Sequence, residues 1–414
     1  MIDWLKEILA SQFGLSMLVM LLAVGGVMGA AAWLILFERK VAAWTQDRYG
    51  PNRVGPRGLF QPIADGLKLF LKEDIIPGKV DRALFIFAPC IALIIGMLGV
   101  AIVPFGGVMR WSDGGPLLKV QVASIDIGLL YVVAVGSLGV YSVVLGGWAS
   151  NNKYATYGGM RAAAQMLSYE VPLGLCLLVC ILSTGQLRLE GMVERQIQSC
   201  WLGILQPLVF VLFFTTALAE ANRAPFDLAE CEQELVGGFH TEYSAMKWAL
   251  FFFGEYAHMV STSAVMVALF LGGWEPIPFS LKIGGWLESV SPLAWLGAML
   301  KWITLDPSPW AALVRGGVYV GKVGCLIFCY MWVRWTLPRF RFDQLMRLAW
   351  KAMVPTGMAL AVWAGFLVYW GRPMSAWALA GNGILLLLCG MISVASGRPT
   401  TGRQDSLPKV EGVS

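Results

Sequence analysis

Long apolar runs separated by polar segments occupy most of this chain, from about residue 15 to about residue 395. Because a membrane-spanning helix needs about 20 apolar residues, each long run predicts one span. A shorter apolar run, 293–305, is better explained as an interfacial or re-entrant helix. The pattern therefore predicts an all-α polytopic membrane protein. The predicted spans are 15–37, 84–104, 123–147, 164–184, 201–219, 247–273, 312–335, 349–370 and 374–395.

Composition supports the same class of protein. Of the 414 residues, 57% are hydrophobic and only 14% are charged, and the mean hydropathy is +0.66. These values exclude an ordinary soluble domain. No secretory signal peptide is expected, because Asp3 and Glu7 replace a basic first region. Eight scattered cysteines without a CxxC motif, and only two histidines, give poor support for an iron–sulfur or haem site.

Basic residues predict the orientation of the chain in the membrane. They concentrate in the loop after the first span and in the loops that follow residues 147 and 335. Because cytoplasmic loops carry an excess of Lys and Arg, we expect these alternate loops on the cytoplasmic side, together with the acidic segment 220–246. The N-terminus then faces outside. This rule accounts for the net charge of +5, so no nucleic-acid partner is expected.

The segment after the first span combines tight turns with an amphipathic helix. Two Gly-Pro pairs exclude a helix around residues 50–56, whereas 58–72 has apolar and polar positions at helical spacing, which is typical of a membrane surface. One interpretation is an interfacial anchor with a solvated polar stripe. The other is a mouth where a lipid-soluble molecule meets Asp65 and the Glu38–Arg39 pair, which would hydrogen-bond to its oxygenated headgroup.

A cluster of acids lies between and beside two apolar runs in the second half of the chain. A carboxylate in a bilayer costs about 2.5 kcal/mol or more, so it is retained where it has a use or a partner. Clustered, partly desolvated carboxylates have raised pKa values and share protons as coupled sites. The cluster therefore suggests that protons or an ionisable ligand move through the protein. Its members are Glu220, Asp227, Glu230, Glu232, Glu234, Glu242 and Glu255.

Two acids amid apolar residues are the best candidates for function. Glu170 precedes Pro172, which removes a helix hydrogen bond and can open the backbone, and Glu255 lies beside Tyr256 and His258. The alternative is an ion-pair network that only holds the structure together. For the three glutamates at 230–234, a solvated acidic loop is the simple expectation.

Basic residues near the acids have separate interpretations. Arg223, where the sequence Asn-Arg-Ala-Pro interrupts the end of the fifth span, is expected beside Glu220 and Asp227. Lys322, within the seventh span, is a candidate partner for a carboxylate. Four charged residues near position 340 fit a positive-inside loop that needs no catalytic role: Arg334, Arg339, Arg341 and Asp343.

Several segments coincide, in order, with one protein family. They read ERKVAAWTQDRYGPNRVGPRGLFQPIADGLKLFLKED, RAAAQMLSYEVPL, EANRAPFDLAECEQELVGGFHTEY, LFLGGW and LPRFRFDQLMRLAWK. With them, the chain resembles the H subunits of bacterial NADH–quinone oxidoreductase (respiratory complex I) and their mitochondrial counterpart, NADH dehydrogenase subunit 1. The resemblance covers roughly residues 10–371.

The resemblance implies a subunit of the bacterial inner membrane with quinone as substrate and with no metal, flavin or iron–sulfur cluster of its own. Its implied partners are the peripheral-arm subunits that carry the terminal iron–sulfur cluster and share the quinone pocket, small membrane subunits, antiporter-like subunits and the lipid bilayer. The implied quinone-binding residues are Glu38, Arg39, Arg48, Gln61, Asp65 and Lys68. The implied proton path is Arg161, Tyr169, Glu170, Glu220, Arg223, Asp227, Glu230, Glu232, Glu234 and Glu255.

Two parts of the chain depart from the family pattern. The family core has about eight spans and ends soon after the eighth, whereas residues 372–414 add a probable extra hydrophobic span and a polar tail. The segment 275–311 is also longer than usual. We therefore expect a membrane core at 1–371, with the quinone chamber and proton path, and an added segment at 372–414 on the outer surface of the complex.

The resulting hypothesis is a membrane subunit of a proton-translocating quinone reductase that itself performs no NADH chemistry, because no G-x-G-x-x-G motif follows a strand. The main alternative is the homologous subunit of an energy-converting hydrogenase or a ferredoxin-linked complex, which the quinone-loop motif disfavours. A separate ion channel or carrier would need an internal repeat or a site between broken helices, and no repeat is found. A purely structural anchor leaves the acids within apolar runs unexplained.

Overall fold

The computed structural model describes residues 11–111, 115–228, 236–289 and 294–396, with side chains up to Met391. Within these ranges the chain is helical apart from one short antiparallel hairpin. In chain order the elements are α1 (Gln12–Thr45), α2 (Gln61–Leu71), α3 (Arg82–Leu98), β1 (Val108–Arg110), β2 (Leu117–Lys119), α4 (Gly128–Ala149), α5 (Lys153–Thr184), α6 (Leu189–Gln198), α7 (Leu202–Leu205), α8 (Pro207–Glu220), α9 (Ala245–Phe270), α10 (Ser280–Ser289), α11 (Ala294–Leu305), α12 (Pro309–Thr336), α13 (Phe342–Arg347), α14 (Val354–Tyr369) and α15 (Ala376–Ser396).

Six helical stretches in the described part of the chain are long and apolar enough to cross a membrane. They are α1, α3 with its extension to Ile102, α4, α5, α12, and the stretch Phe342–Tyr369. Helices α8, α11 and part of α15 are apolar but shorter. Helix α9 has 26 residues and is buried along much of its length. The prediction of an all-α polytopic protein is therefore confirmed, and the amphipathic surface helix is present as α2.

Helix boundaries differ from the sequence predictions at three places. Helix α1 continues to Thr45, so Glu38 and Arg39 lie on a helix instead of in the following loop. The predicted span 201–219 is broken before Pro207, which cannot donate a backbone hydrogen bond and therefore begins a new helix, α8. Helix α5 continues through Pro172, because packing against neighbouring helices tolerates a proline inside a membrane helix.

Helices α3 and α9 approach each other closely through two glycines. A Cβ atom added to Gly96 would lie 2.7 Å from the carbonyl oxygen of Gly254, and one added to Gly254 would lie 3.0 Å from the carbonyl carbon of Ala92. Small residues at such crossings allow two membrane helices to pack backbone against backbone. This contact fixes the position of Glu255, which follows Gly254 on α9.

The loops predicted to share one side of the membrane contact each other. The backbone N–H of Ile75, after α2, donates to the hydroxyl of Ser244 at 3.2 Å, and the N–H of Phe340, after α12, donates to the carbonyl of Pro225 at 3.2 Å. Asn152, between α4 and α5, also donates to the segment that joins α8 and α9. The basic loops and the acidic loop therefore meet at the same end of the helix bundle.

The added C-terminal helix packs against the rest of the bundle. The side-chain amide of Asn382 on α15 donates to the side-chain oxygen of Gln206 at 2.5 Å, and both residues are buried. The indole N–H of Trp363 on α14 donates to the carbonyl of Trp377 at 3.2 Å. Much of the apolar surface of α15 is exposed, including Leu387. The separation of 1–371 from 372–414 stays a prediction, and residues 397–414 lie outside the described ranges.

We expect Gly96→Ala to destabilise the protein, because the new methyl group would press on the backbone of α9. Overpacking of this kind typically costs about 1–3 kcal/mol. The measurement is the thermal unfolding midpoint of the purified protein. Gly365→Ala is the matched control, since a Cβ atom there would have no heavy atom within 4 Å. Equal midpoints for the two variants would contradict the proposed close contact.

Candidate functional site

Glu38 is a buried carboxylate with several partners. It lies near the end of α1 and is 7% exposed. Its Oε2 atom accepts hydrogen bonds from the hydroxyl of Tyr256 at 2.6 Å and from Nη1 of Arg223 at 3.3 Å. Nη1 of Arg334, on α12, bonds to the other oxygen. A buried carboxylate needs such compensation, because desolvation of an unpaired charge costs several kcal/mol. Four chain segments therefore converge on this side chain.

Arg223 lies between two carboxylates. Helix α8 ends at Glu220, and the turn that follows directs the guanidinium of Arg223 into the bundle, where the residue is 4% exposed. Besides Glu38, its Nη2 atom lies 3.6 Å from Oε2 of Glu255 on α9. The guanidinium carbon also lies 4.1 Å from the ring centre of Tyr256, within range of a cation–π interaction. The expected contact with Glu220 is replaced by contacts with Glu38 and Glu255.

A water-sized cavity joins Glu255 to Glu220. Its volume is about 60 Å³, and its polar lining includes Glu220, Asn222, Glu255 and His258. Nε2 of His258 lies 3.7 Å from Oε1 of Glu220, and it has no hydrogen-bond partner within the described part of the chain. Because buried polar atoms are normally satisfied, and this cavity has room for water, ordered water is the natural partner for His258.

A second cavity continues from Glu220 to Glu170. Its volume is about 30 Å³, enough for water, and Glu170, Glu220 and His258 all line it. The hydroxyl of Ser137, on α4, hydrogen-bonds to the carboxylate of Glu170. Three carboxylates, Glu255, Glu220 and Glu170, are thus connected by adjoining polar spaces within a largely apolar bundle.

Asp227 forms the loop side of the site. Its Oδ2 atom accepts a hydrogen bond from Nη2 of Arg339 at 3.0 Å, and its Oδ1 atom has no partner within the described residues. Burial raises the pKa of Asp227 to about 6; Arg339 opposes this rise in pKa, and Glu255 adds to it. This carboxylate therefore changes protonation near neutral pH, unlike an ordinary aspartate.

A larger cavity opens beside Glu38. It has a volume of about 480 Å³, and its lining includes Glu38, Arg39, Arg48, Tyr256 and Trp335. Pockets for small molecules commonly measure about 300–1,000 Å³. The predicted residues of α2 join this cavity through Arg39. Around one carboxylate, Arg39 Nη1 lies 2.6 Å from Asp65 Oδ2, while Gln61 Nε2 and Lys68 Nζ lie 3.2 and 3.9 Å from Asp65 Oδ1.

Some predicted path residues have other positions. The hydroxyl of Tyr169 donates to the backbone carbonyl of Leu345 at 3.0 Å, so it ties α5 to α13. The guanidinium carbon of Arg161 lies 5.8 Å from the ring centre of Phe342. Three predicted residues, Glu230, Glu232 and Glu234, lie outside the described ranges.

Sequence reasoning missed the functional part of the basic segment near residue 340. Arg334 pairs with Glu38 and Arg339 pairs with Asp227, so these arginines do more than orient a positive loop. Their spacing in the sequence carries no signal for partners almost 300 and just over 100 positions away. Lys322 hydrogen-bonds to the backbone carbonyls of Leu271, Gly273 and Glu275, instead of the side-chain carboxylate that we expected.

Comparison with known proteins adds independent information. The sequence profile of the family described as NADH dehydrogenase matches residues 17–365. The chain is 46% identical over 318 residues to the NADH-quinone oxidoreductase H subunit 1 of Cytophaga hutchinsonii, and the match covers 77% of this chain and 86% of that protein. It is 46% identical over 343 residues to the NADH-quinone oxidoreductase H subunit of Rhodospirillum rubrum, with 83% and 90% of the two chains covered.

A third relative extends further along the chain. The NADH-quinone oxidoreductase H subunit 1 of Solibacter usitatus is 41% identical over 395 residues, covering 88% of this chain and 99% of that protein. The profile match and these identities cover most of the chain, and they agree with the resemblance found in the sequence motifs. The chain belongs to the NADH dehydrogenase family, together with the H subunits of the bacterial NADH-quinone oxidoreductases.

Proposed function

We propose that this chain is the membrane subunit of a proton-translocating NADH–quinone oxidoreductase that contributes to the quinone site and links quinone reduction to proton movement. The observation that carries the proposal is the position of Arg223. It bridges Glu38, which lines the large cavity, and Glu255, which lines the water-sized cavity inside the bundle.

The large cavity has the features required at a quinone headgroup. Arg39 and Arg48 provide hydrogen-bond donors at its wall, and Phe252 and Trp335 provide apolar surface. Arg39 holds Asp65 on α2, whose apolar residues are exposed as expected for a helix at a membrane surface. A lipid-soluble molecule could therefore approach along α2 and place its oxygens beside Arg39.

Reduction of a quinone to a quinol takes two electrons and two protons. The electrons would come from an iron–sulfur cluster on a partner chain. Until the protons arrive, the reduced headgroup is negatively charged, and it would attract Arg39 away from Asp65. Proton uptake near Glu38 would weaken its hold on Arg223. Because Arg223 already lies at similar distances from Glu38 and Glu255, a small change in charge shifts its preference between them.

The inner carboxylates offer a route for the proton that such a shift releases or binds. From Glu255 the two cavities lead past Glu220 and His258 to Glu170. Water in these cavities would allow proton transfer without direct contact between carboxylates. Coupled carboxylates of this kind share protons, so a change of charge at one end alters the proton affinity of the next group.

The proposal includes an orientation and a set of partners. The end of the bundle that carries the basic loops would face the cytoplasm of a bacterial cell, with the N-terminus outside. Peripheral subunits would dock on that end, and antiporter-like and small membrane subunits would adjoin the bundle. The added helix α15 would lie at the outer surface of the complex.

A tagged chain purified in mild detergent tests this assignment. We expect flavin and iron–sulfur subunits to co-purify, together with NADH-dependent quinone reduction that a quinone-site inhibitor blocks. Recovery with a nickel–iron hydrogenase module would instead favour the homologous subunit of a hydrogenase. Recovery of the chain alone, in a stable ion-conducting form, would overturn both assignments.

We expect Asp65→Asn to slow quinone reduction about fivefold to tenfold, because the loss of one charge-assisted hydrogen bond costs of the order of 1–2 kcal/mol. The measurement is NADH:quinone activity of the assembled complex, relative to NADH oxidation by a water-soluble acceptor. Asp126→Asn is the control, since Asp126 pairs with Arg188 away from this site. Unchanged quinone turnover in assembled Asp65→Asn complex would reject the role of Asp65.

We expect Glu255→Gln to reduce proton pumping, since an amide cannot exchange a proton with the neighbouring water-sized cavity. The measurement is the number of protons pumped per NADH oxidised in proteoliposomes. Glu288→Gln serves as the control, because Glu288 is half-exposed and pairs with Lys301 on α11. A full pumping ratio in the Glu255→Gln complex would refute a relay role for Glu255.

Asp227 should take up a proton as the pH falls through about 6, the value to which burial raises its pKa. A raised carboxyl pKa means that the folded state binds the proton more tightly than the unfolded chain does. The associated stability is therefore lost as the pH rises from about 4 to about 6. Infrared titration should show a protonated carboxyl band with a midpoint near pH 6, absent in Asp227→Asn. A band that titrates near pH 4 would contradict this prediction.

A further inference from the structure

One glycine lies at the wall shared by the two inner cavities. Gly136, in the middle of α4, lines both the cavity beside Glu255 and the cavity beside Glu170. A Cβ atom added to Gly136 would lie only 2.7 Å from Oε1 of Glu220, closer than real Cβ contacts. The carboxylate of Glu220 therefore occupies space that any other residue at position 136 would fill.

The next residue contacts the other carboxylate. The hydroxyl of Ser137 hydrogen-bonds to Glu170, and it also lies 2.9 Å from the backbone carbonyl of Val133. A hydroxyl has one proton and two acceptor lone pairs, so it can donate to an ionised Glu170, or donate to Val133 and accept from a protonated Glu170. Gly136 and Ser137 thus form one step of α4 that faces Glu220 and Glu170 in turn.

We propose that Gly136 is a positioning residue for proton transfer, because its missing side chain keeps the passage between Glu220 and Glu170 open. This inference rests on the proposed proton path and adds to it the point at which the path is narrowest. Both cavities share Glu220 and His258 as well as Gly136, so the carboxylate of Glu220 can meet water on either side. A methyl group at Gly136 would push this carboxylate out of the shared wall.

Glycine at this position is better explained by the contact than by helix formation. Glycine inside a helix is less favourable than alanine, since it exposes more backbone and loses more conformational freedom on folding. Other glycines of the bundle provide a matched comparison. A Cβ atom on Gly174, four residues after Glu170 on α5, would have no heavy atom within 4 Å.

The experiment compares Gly136→Ala with Gly174→Ala in the complete complex reconstituted in proteoliposomes. The two readouts are protons pumped per NADH oxidised, and NADH oxidation by a water-soluble acceptor, which does not use the path. We expect Gly136→Ala to lower the coupled pumping rate about tenfold, while acceptor reduction stays unchanged. Gly174→Ala should change neither readout. Equal pumping by the two glycine variants would overturn the proposal.

A second pair of variants keeps the test decisive if Gly136→Ala prevents assembly. Glu220→Asp shortens the side chain by one methylene group and so makes room for the new methyl group. We expect the double variant Gly136→Ala/Glu220→Asp to assemble and to pump as well as Glu220→Asp alone. A double variant that fails to assemble, or that pumps less than Glu220→Asp alone, would overturn the proposal.

The same series separates this inference from the proposed function. If Glu220→Gln pumps normally, the proton path through Glu220 is wrong, and the role of Gly136 fails with it. If Glu220→Gln pumps poorly while Gly136→Ala pumps as well as Gly174→Ala, the path stands and only the inference about Gly136 is rejected.

Discussion

The buried ion pairs of Arg223 hold the functional part of this structure together. A guanidinium and two carboxylates are costly to remove from water, and their mutual attraction offsets that cost only when the geometry is good. Here α1 supplies Glu38, the turn after α8 supplies Arg223, and α9 supplies Glu255. The end of each of the first two segments and the register of α9 must all be set for this group to form.

The apolar frame sets that register. Close packing at Gly96 and Gly254 fixes α9 against α3, and Glu255 follows directly. The break at the end of α8 then turns the chain so that Arg223 enters the bundle while Asp227 stays at its end, beside Arg339. The polar chain is thus a consequence of where helices end and how closely they pack, which is why its residues are far apart in sequence.

Much of this architecture can be predicted from the sequence. Long apolar runs define the spans, since a bilayer admits few alternatives to a helix, and isolated acids within them identify candidates for function. The pairing of Arg334 with Glu38 could not be predicted, because it depends on two helices meeting across the bundle. The extension of α1 past Glu38 was missed for a related reason: a charged segment ends an apolar run, but it does not end a helix. The space that Gly136 leaves for Glu220 is likewise visible only in three dimensions.

The alternation of basic and acidic segments also has a structural consequence. The loops that meet at one end of the bundle carry the large cavity, Asp65 and Asp227, so the groups that would sense a quinone and those that would receive a proton lie in one connected region. The link inward passes through Arg223. A direct test is the infrared difference spectrum recorded when quinone is reduced in the assembled complex. We predict a carboxyl band that is present in the unmodified complex and absent in Glu255→Gln. A spectrum in which Glu255→Gln removes no band, although the unmodified complex reduces quinone at its full rate, would contradict this link.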